Sequence, residues 1–235
     1  MSHFRWDAPG SYEVVFTTRR GGVSEGPYAS LNLGRKTGDD VARVDENRRR
    51  ACAEIGADAE RLALNYQVHS TLVHRARPGA RGEQGDGLWT DERDLPILAM
   101  SADCLPLALA RANGAAPAVA VAHVGWRGLL AGVVEAAVST LGPGAIEAAV
   151  GPAIGPCCYE VREDVAEPFR VRFGSQVVRG RRLDLWRAAE QALTNAGVAR
   201  VERFDLCTSC NPDLFFSHRR DGKPRGVQGV LARVA

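Results

Sequence analysis

The chain has 235 residues, enough for one domain with a sizeable core. Hydrophobic content is 45%, and 30 basic against 28 acidic residues leave a formal net charge of +2, which excludes a nucleic-acid coat protein or an acidic-tailed chain. Only Lys36 and Lys223 among the basic residues are lysine, and arginine runs high together with alanine and glycine, so the arginine count is read as base composition and not as a binding signal.

The opening MSHFRWDAPG lacks the apolar segment of a secretory signal, and no apolar run is clean and long enough to span a membrane, so a soluble cytoplasmic protein with no membrane partner is expected. YEVVFTT (12–18) reads as a strand. Residues 41–56 have helical spacing and a glycine stop. LALNYQVH (62–69) reads as a strand, and RPGARGEQGDG (77–87), rich in glycine and charge, as a variable loop. Strands follow over 95–104 and 117–123, then one helix over 128–142 with a glycine end. A strand opens 146–155, helices cover 164–174 and 183–198, and 201–208 is a short strand. No repeat of fixed period and no low-complexity linker divides the chain, so residues 1–235 are read as a single domain of α/β or α+β class.

In this reading three apolar strands each end at a metal-ligating residue: His69 in QVHS, Cys104 in SADCLPL and His123 in VAVAHVGWRG. Ligands gather outside the carboxyl ends of strands in α/β sheets. Two imidazoles and a thiolate suit zinc, and three protein ligands leave a position open for water, whose pKa zinc lowers. The ligands lie 35 and 19 residues apart, whereas structural zinc sites use short paired spacings. The plainer alternative stays open at this point: a histidine after an apolar strand is most often a hydrogen-bonded core or loop residue, and a buried cysteine a small hydrophobe. Arg127, between Gly125 and Gly128 at a helix start, either faces an anion or lies on the surface. CTSC (207–210) is a CxxC with no evident second pair, and the adjacent Cys157 and Cys158 suit joint ligation from a single turn poorly. His74 reads as polar surface, and no role is assigned to His218.

TTRRGGVSEGPYASLNLG, DENRRR, QVHS, SADCLPL, AHVGWRGL, GPAIGPCCYEV and CTSCNPDLFFSHRRDG occur in this order along the chain. Together they resemble the YfiH-type family, once called multicopper polyphenol oxidases or laccase-domain proteins and now described as purine nucleoside phosphorylases with adenosine deaminase activity. The resemblance implies a layered α/β/β/α sandwich and zinc held by His69, Cys104 and His123. It also places Arg19, Asn47, Arg48 and Arg127 near the pocket as phosphate- or nucleoside-binding candidates. Ser70, Ser101 and Val124 depart from the usual glycine, threonine and alanine; none removes a ligand.

The implied activity is phosphorolysis of adenosine, inosine or methylthioadenosine, with deamination of adenosine beside it. Nucleoside and phosphate are then the partners of a chain read as a monomer by default. Cys104, Asp103 and Arg127 are the catalytic candidates, with Glu160 and Cys158 as further proton carriers for deamination. The H-x-E and P-C-x-x-C signature of other zinc deaminases is absent. Copper also fits two histidines and a cysteine, but five histidines are too few for a four-copper oxidase. A third reading is a zinc amidase that removes wrongly inserted serine from peptidoglycan precursors.

Overall fold

Short runs of valine, alanine and leucine alternate their two faces and assemble two six-stranded sheets. The computed structural model describes residues 3–113 and 116–235. The strands are β1 (His3–Trp6), β2 (Tyr12–Thr17), β3 (Ala63–Tyr66), β4 (Val73–Arg75), β5 (Arg81–Gln84), β6 (Gly87–Thr90), β7 (Ile97–Ser101), β8 (Leu105–Arg111), β9 (Val119–Val124), β10 (Ile146–Val150), β11 (Val178–Arg179), β12 (Arg182–Leu183), β13 (Arg200–Arg203) and β14 (Gln228–Val234). The helices are α1 (Val41–Ala53), α2 (Trp126–Ala131), α3 (Val133–Thr140), α4 (Glu163–Phe173), α5 (Leu185–Asn195) and α6 (His218–Asp221). The first sheet runs β1-β2-β14-β7-β3-β5 and the second β13-β10-β8-β9-β6-β4; β11 and β12 form a small hairpin.

Period-two alternation sorts the side chains into three apolar layers. Between the sheets lie Val14, Phe16, Ile97, Ala99, Val230 and Ala232 from the first and Ala108, Ala110, Val119, Val121 and Ala149 from the second. The intervening Val15, Leu98 and Leu231 face the opposite way and pack with Ala51, Cys52 and Ile55 at the end of α1. Leu107, Leu109, Ala120, Ala122 and Val124 of the second sheet pack under α2 to α5, through Leu129, Val134, Ala137, Phe169 and Ala189. The layers are therefore helix, sheet, sheet, helices, the α/β/β/α arrangement implied by the resemblance. No helix among the described residues is long and apolar enough to cross a membrane.

Several boundaries differ from the sequence reading, for local reasons. The helix over 128–142 is two helices, because Gly132 at φ 103° adopts a left-handed conformation that breaks the ladder between α2 and α3. The loop over 77–87 contains the exposed edge strand β5 and ends in a buried aspartate, Asp86. The strand over 62–69 stops at Tyr66, and that over 95–104 stops at Ser101. His69 and Cys104 thus lie beyond the strands, on the turns that follow, while His123 is inside β9. The apolar runs of β8 and β14 were not separated as strands; both are central to their sheets.

The small inner residues let the sheets approach closely, and Gly151 marks one such close approach. A Cβ there would overlap the Phe16 ring and lie 2.8 Å from Pro106 Cγ. Gly151→Ala is expected to destabilise the chain by about 1–3 kcal/mol through overpacking, read as a lower urea midpoint. Adding Phe16→Leu should recover part of that loss; an unchanged midpoint in Gly151→Ala would contradict the packing.

Candidate functional site

Two turns and one strand bring His69, Cys104 and His123 together, with all their donor atoms within 4.8 Å of one another. The Cys104 Sγ lies 3.8 Å from His69 Nε2, and the two imidazoles meet edge to face with centroids 4.8 Å apart. His123 is 5% exposed at the end of β9. His69 and Asp103, the residue before Cys104, have φ of 61° and 90°, left-handed values that residues with a Cβ seldom adopt.

Asp86 holds this arrangement, and the sequence reading missed it. It is 1% exposed and accepts the backbone N–H groups of Val68, His69 and Ser70 at 3.1, 3.0 and 2.6 Å, and the Ser70 hydroxyl at 2.8 Å. Three successive N–H groups on one carboxylate fix the left-handed turn that carries His69. The same carboxylate lies 2.8 Å from His123 Nδ1, and its backbone carbonyl accepts the His123 N–H at 2.7 Å. With Nδ1 so engaged, Nε2 is the His123 nitrogen left for a metal, a carboxylate–histidine arrangement that fixes tautomer and ring orientation. Burial acts to raise the Asp86 carboxyl, but the bonds from His123 and Ser70 outweigh it and hold the group well below the usual carboxylate range. Burial likewise opposes the charged forms of Cys104 and His123, yet their mutual attraction, joined by His69 on the thiol and Asp86 on the imidazole, pushes the thiol down to about 6 and the imidazole up to about 9. Without a metal the pair thus rests as thiolate and imidazolium, and a metal that binds there displaces the proton from His123 Nε2. Gly125 completes the group: a Cβ there would overlap His69 Cδ2 and lie 3.3 Å from the Cys104 sulfur.

Asp103 sits beside this group but spends both oxygens on the fold. It accepts the Thr208 hydroxyl and the Arg219 N–H, each at 2.6 Å, tying the segment after β13 to the turn before Cys104. It is absent from the cavity wall, and both of its carboxylate oxygens are bonded to the fold.

His69, Cys104 and His123 open onto a cavity of about 620 Å³. Its wall carries Arg35, Lys36, Arg48, Arg81, Lys223 and Arg225 and, among the described residues, no carboxylate. Both lysines of the chain are there. Of the sequence candidates for anion binding only Arg48 is in the wall; its Nε donates to the Leu33 carbonyl at 2.8 Å and its two terminal nitrogens have no partner among the described residues. Burial pushes its guanidinium down to about 10, still charged near neutrality. Arg19 instead donates to the carbonyls of Ala29 and Pro212 and stacks over Phe216. Asn47 is fully buried, bonded to Val23, Ser24, Ser30 and Asn32. Arg127 stacks over Trp126 at 4.4 Å, outside the wall. Leu64, Tyr66, Met100 and Val227 supply an apolar part of the wall, and the buried Ser101 hydroxyl has no partner among the described residues. His218, left without a role by the sequence, also lines it. Glu160 lies away from the cavity, 3.3 Å from Arg181, and Cys158 lies beside Cys210.

Asp86→Asn keeps the shape of the carboxylate but removes its charge. It is expected to weaken metal binding by about 10–100-fold, measured by competition with a chromophoric chelator. Gly125→Ala should weaken it too, by displacing His69. Wild-type affinity in both variants would show that neither residue supports the group.

The family model described as "Multi-copper polyphenol oxidoreductase laccase" matches residues 13–234. Among curated relatives, "Purine nucleoside phosphorylase YfiH" of Escherichia coli is 37% identical over 92% of both chains. "Purine nucleoside phosphorylase YlmD" of Geobacillus stearothermophilus is 36% identical, covering 92% of this chain and 86% of the relative. The crystal structure of YlmD from Geobacillus stearothermophilus superposes with a TM-score of 0.90 at 33% identity, covering 100% of this chain and 96% of the other. That of the Bacillus licheniformis hypothetical protein YfiH gives 0.91 at 29% identity, covering 100% and 97%. In matched length, layered fold and the identity of its relatives, the chain belongs to the YfiH-type, laccase-domain family.

Proposed function

We propose that this chain is a zinc-dependent purine nucleoside phosphorylase that also deaminates adenosine. The observation that supports this best is the cavity itself, whose six cations and lack of carboxylates among the described residues suit an inorganic anion, beside a group of two histidines and a cysteine. The relatives named above carry the same phosphorylase name.

His69, Cys104 and His123 are the residues that would hold zinc, since two nitrogens and one thiolate match its preference and leave a position open. Zinc bound there supplies Lewis-acid polarisation of an oxygen atom. Copper favours the same donors and would supply at most a weak oxidase side activity, since a four-copper centre needs more than the five histidines of this chain.

In phosphorolysis a phosphate oxygen bonds to the ribose C1′ as the bond from C1′ to the purine nitrogen breaks. The electron pair leaves with the purine, which gains a proton. Arg48 and Lys223, whose terminal nitrogens have no partner among the described residues, and Arg225 hold the phosphate through charge-assisted bonds. Leu64, Tyr66, Met100 and Val227 cover the purine face, and the Ser101 hydroxyl is free to bond a polar edge. His218 is the imidazole of the wall outside the metal group, and it delivers the proton to the purine. In deamination the same pocket directs water to C6 of adenine, and ammonia leaves with the proton His218 passes on.

Chromatography of adenosine incubated with the zinc-loaded protein tests the reading. Adenine that forms only with phosphate, and inosine without it, are the expected products; unchanged adenosine in both arms, with zinc bound, overturns it. Lys223→Ala should raise the KM for phosphate about tenfold with little effect on stability. His218→Gln should lower kcat by about a hundredfold with zinc content unchanged.

A further inference from the structure

Five of the six cysteines lie outside the cavity wall; Cys52 is buried at the end of α1, and the other four meet elsewhere. The sequence reading found no partner pair for Cys207 and Cys210, and judged the adjacent Cys157 and Cys158 unsuited to joint ligation. The fold overturns both expectations, because it brings all four sulfur atoms within 4.8 Å of one another. After β10 the chain turns sharply, with the N–H groups of Cys158 and Tyr159 both donating to the Gly155 carbonyl at 2.9 Å. That single turn brings the Cys157 and Cys158 sulfurs to 3.5 and 3.3 Å from the Cys210 sulfur. The second turn follows β13, where the Asn211 N–H and side-chain amide both donate to the Cys207 carbonyl, at 3.2 and 2.8 Å. A parallel bridge between Ala153 and Cys207 sets the two turns side by side.

We propose that Cys157, Cys158, Cys207 and Cys210 form a second metal site, a closed tetrathiolate that binds structural zinc. The donor set is the one structural zinc takes, and a tetrahedron with bonds of about 2.3 Å separates its sulfur atoms by about 3.8 Å, within the spread seen here. All four are free thiols. The Gly155 N–H donates to the Cys207 sulfur at 3.3 Å, a contact that stabilises negative charge on it. Four ligands leave no open position, in contrast to the three at the cavity.

The site would staple the two turns at a point where the cavity depends on them. Arg219 donates to the carbonyls of Cys158 and Glu160 at 3.2 and 3.0 Å, and Arg220 to those of Thr208 and Ser209 at 2.9 and 3.2 Å. Those two arginines belong to α6, which begins at His218 and leads to Lys223 and Arg225 in the cavity wall. Zinc at the tetrathiolate therefore anchors one wall of the cavity without touching it, whichever reaction the cavity performs.

The test is zinc stoichiometry on the full chain, purified under reductant, zinc-loaded and dialysed. The wild type is expected to retain about two zinc ions per chain, and Cys104→Ser about one. X-ray absorption of the ion retained by Cys104→Ser should show four sulfur neighbours and no nitrogen. The Cys207→Ser/Cys210→Ser double variant should lose that ion and keep the nitrogen–sulfur one. A Cys104→Ser protein without zinc, or with zinc on nitrogen and oxygen ligands, overturns the proposal, and it does so even where the double variant fails to fold. Because that arm lacks Cys104, its outcome is independent of the phosphorylase reading.

Discussion

One buried carboxylate organises the centre of this molecule. Asp86 takes three backbone N–H groups and a hydroxyl from the turn that carries His69, and the imidazole of His123 from a different strand. A carboxylate withdrawn from water with its oxygens unfilled would be strongly destabilising. Filled by five donors, it becomes the element that specifies where both histidines stand. Its effect rests on location: β6 begins at Gly87, the next residue, so Asp86 is fastened to the second sheet and cannot drift with the loop before it. The exposed edge strand β5 precedes it by one turn, which is why a charged, glycine-rich stretch ends in a buried side chain.

The second constraint is the narrow gap between the sheets. Ala99, Ala108, Ala110, Ala149 and Ala232 leave room for few large rings, and Phe16 occupies the space that Gly151 leaves open. Close-packed layers of this kind transmit little slack. The turns after β3 and β7 and the end of β9 are therefore held in fixed relation. The group of His69, Cys104 and His123 inherits that rigidity, although two of its members are on turns. Left-handed backbone at His69 and Asp103 is tolerated because side-chain bonds from elsewhere over-determine it, through Asp86 in one case and through Thr208 and Arg219 in the other.

Much of this was legible in the sequence, and the omissions have physical causes. Apolar runs and glycine stops locate β2, α1, β9, β10, α4 and α5, and strand-end reasoning points to His69, Cys104 and His123 from the sequence alone. The reason given was partly wrong, since His69 and Cys104 lie past their strands, where the ligand is aimed by hydrogen bonds and not by the strand. Asp86 was hidden because a carboxylate in a glycine-rich run looks solvated; only tertiary contacts bury it. The four cysteines near Cys157 and Cys207 were hidden because sequence separation conceals a meeting of two turns. Arg19, Asn47 and Asp103 were drawn toward the pocket, yet none lines its wall, and they bond backbone carbonyls, amides and hydroxyls of the loops they hold together.

The charge of the cavity illustrates how far bulk composition can mislead. A net charge of +2 spread over 235 residues says nothing about any one surface. Most arginines of this chain are paired on the outside, as Arg49 and Arg50 are with Glu46, and such exposed pairs contribute little to stability. The cavity wall departs from this pattern by gathering six cations and, among the described residues, no acid, although Arg35 there is paired with Asp45 outside the wall. Like charges lining one concavity repel, and the repulsion is relieved when an anion enters. The two lysines are the sharpest sign. In a chain that uses arginine almost everywhere else, base composition cannot account for both being placed on the same wall. A flexible ammonium can follow a phosphate as its geometry changes, whereas the planar guanidinium of Arg48, anchored through its Nε to Leu33, gives it a fixed seat. A wall that carries one rigid and one mobile cation suits an anion whose shape changes during reaction, as the proposed phosphorolysis would require.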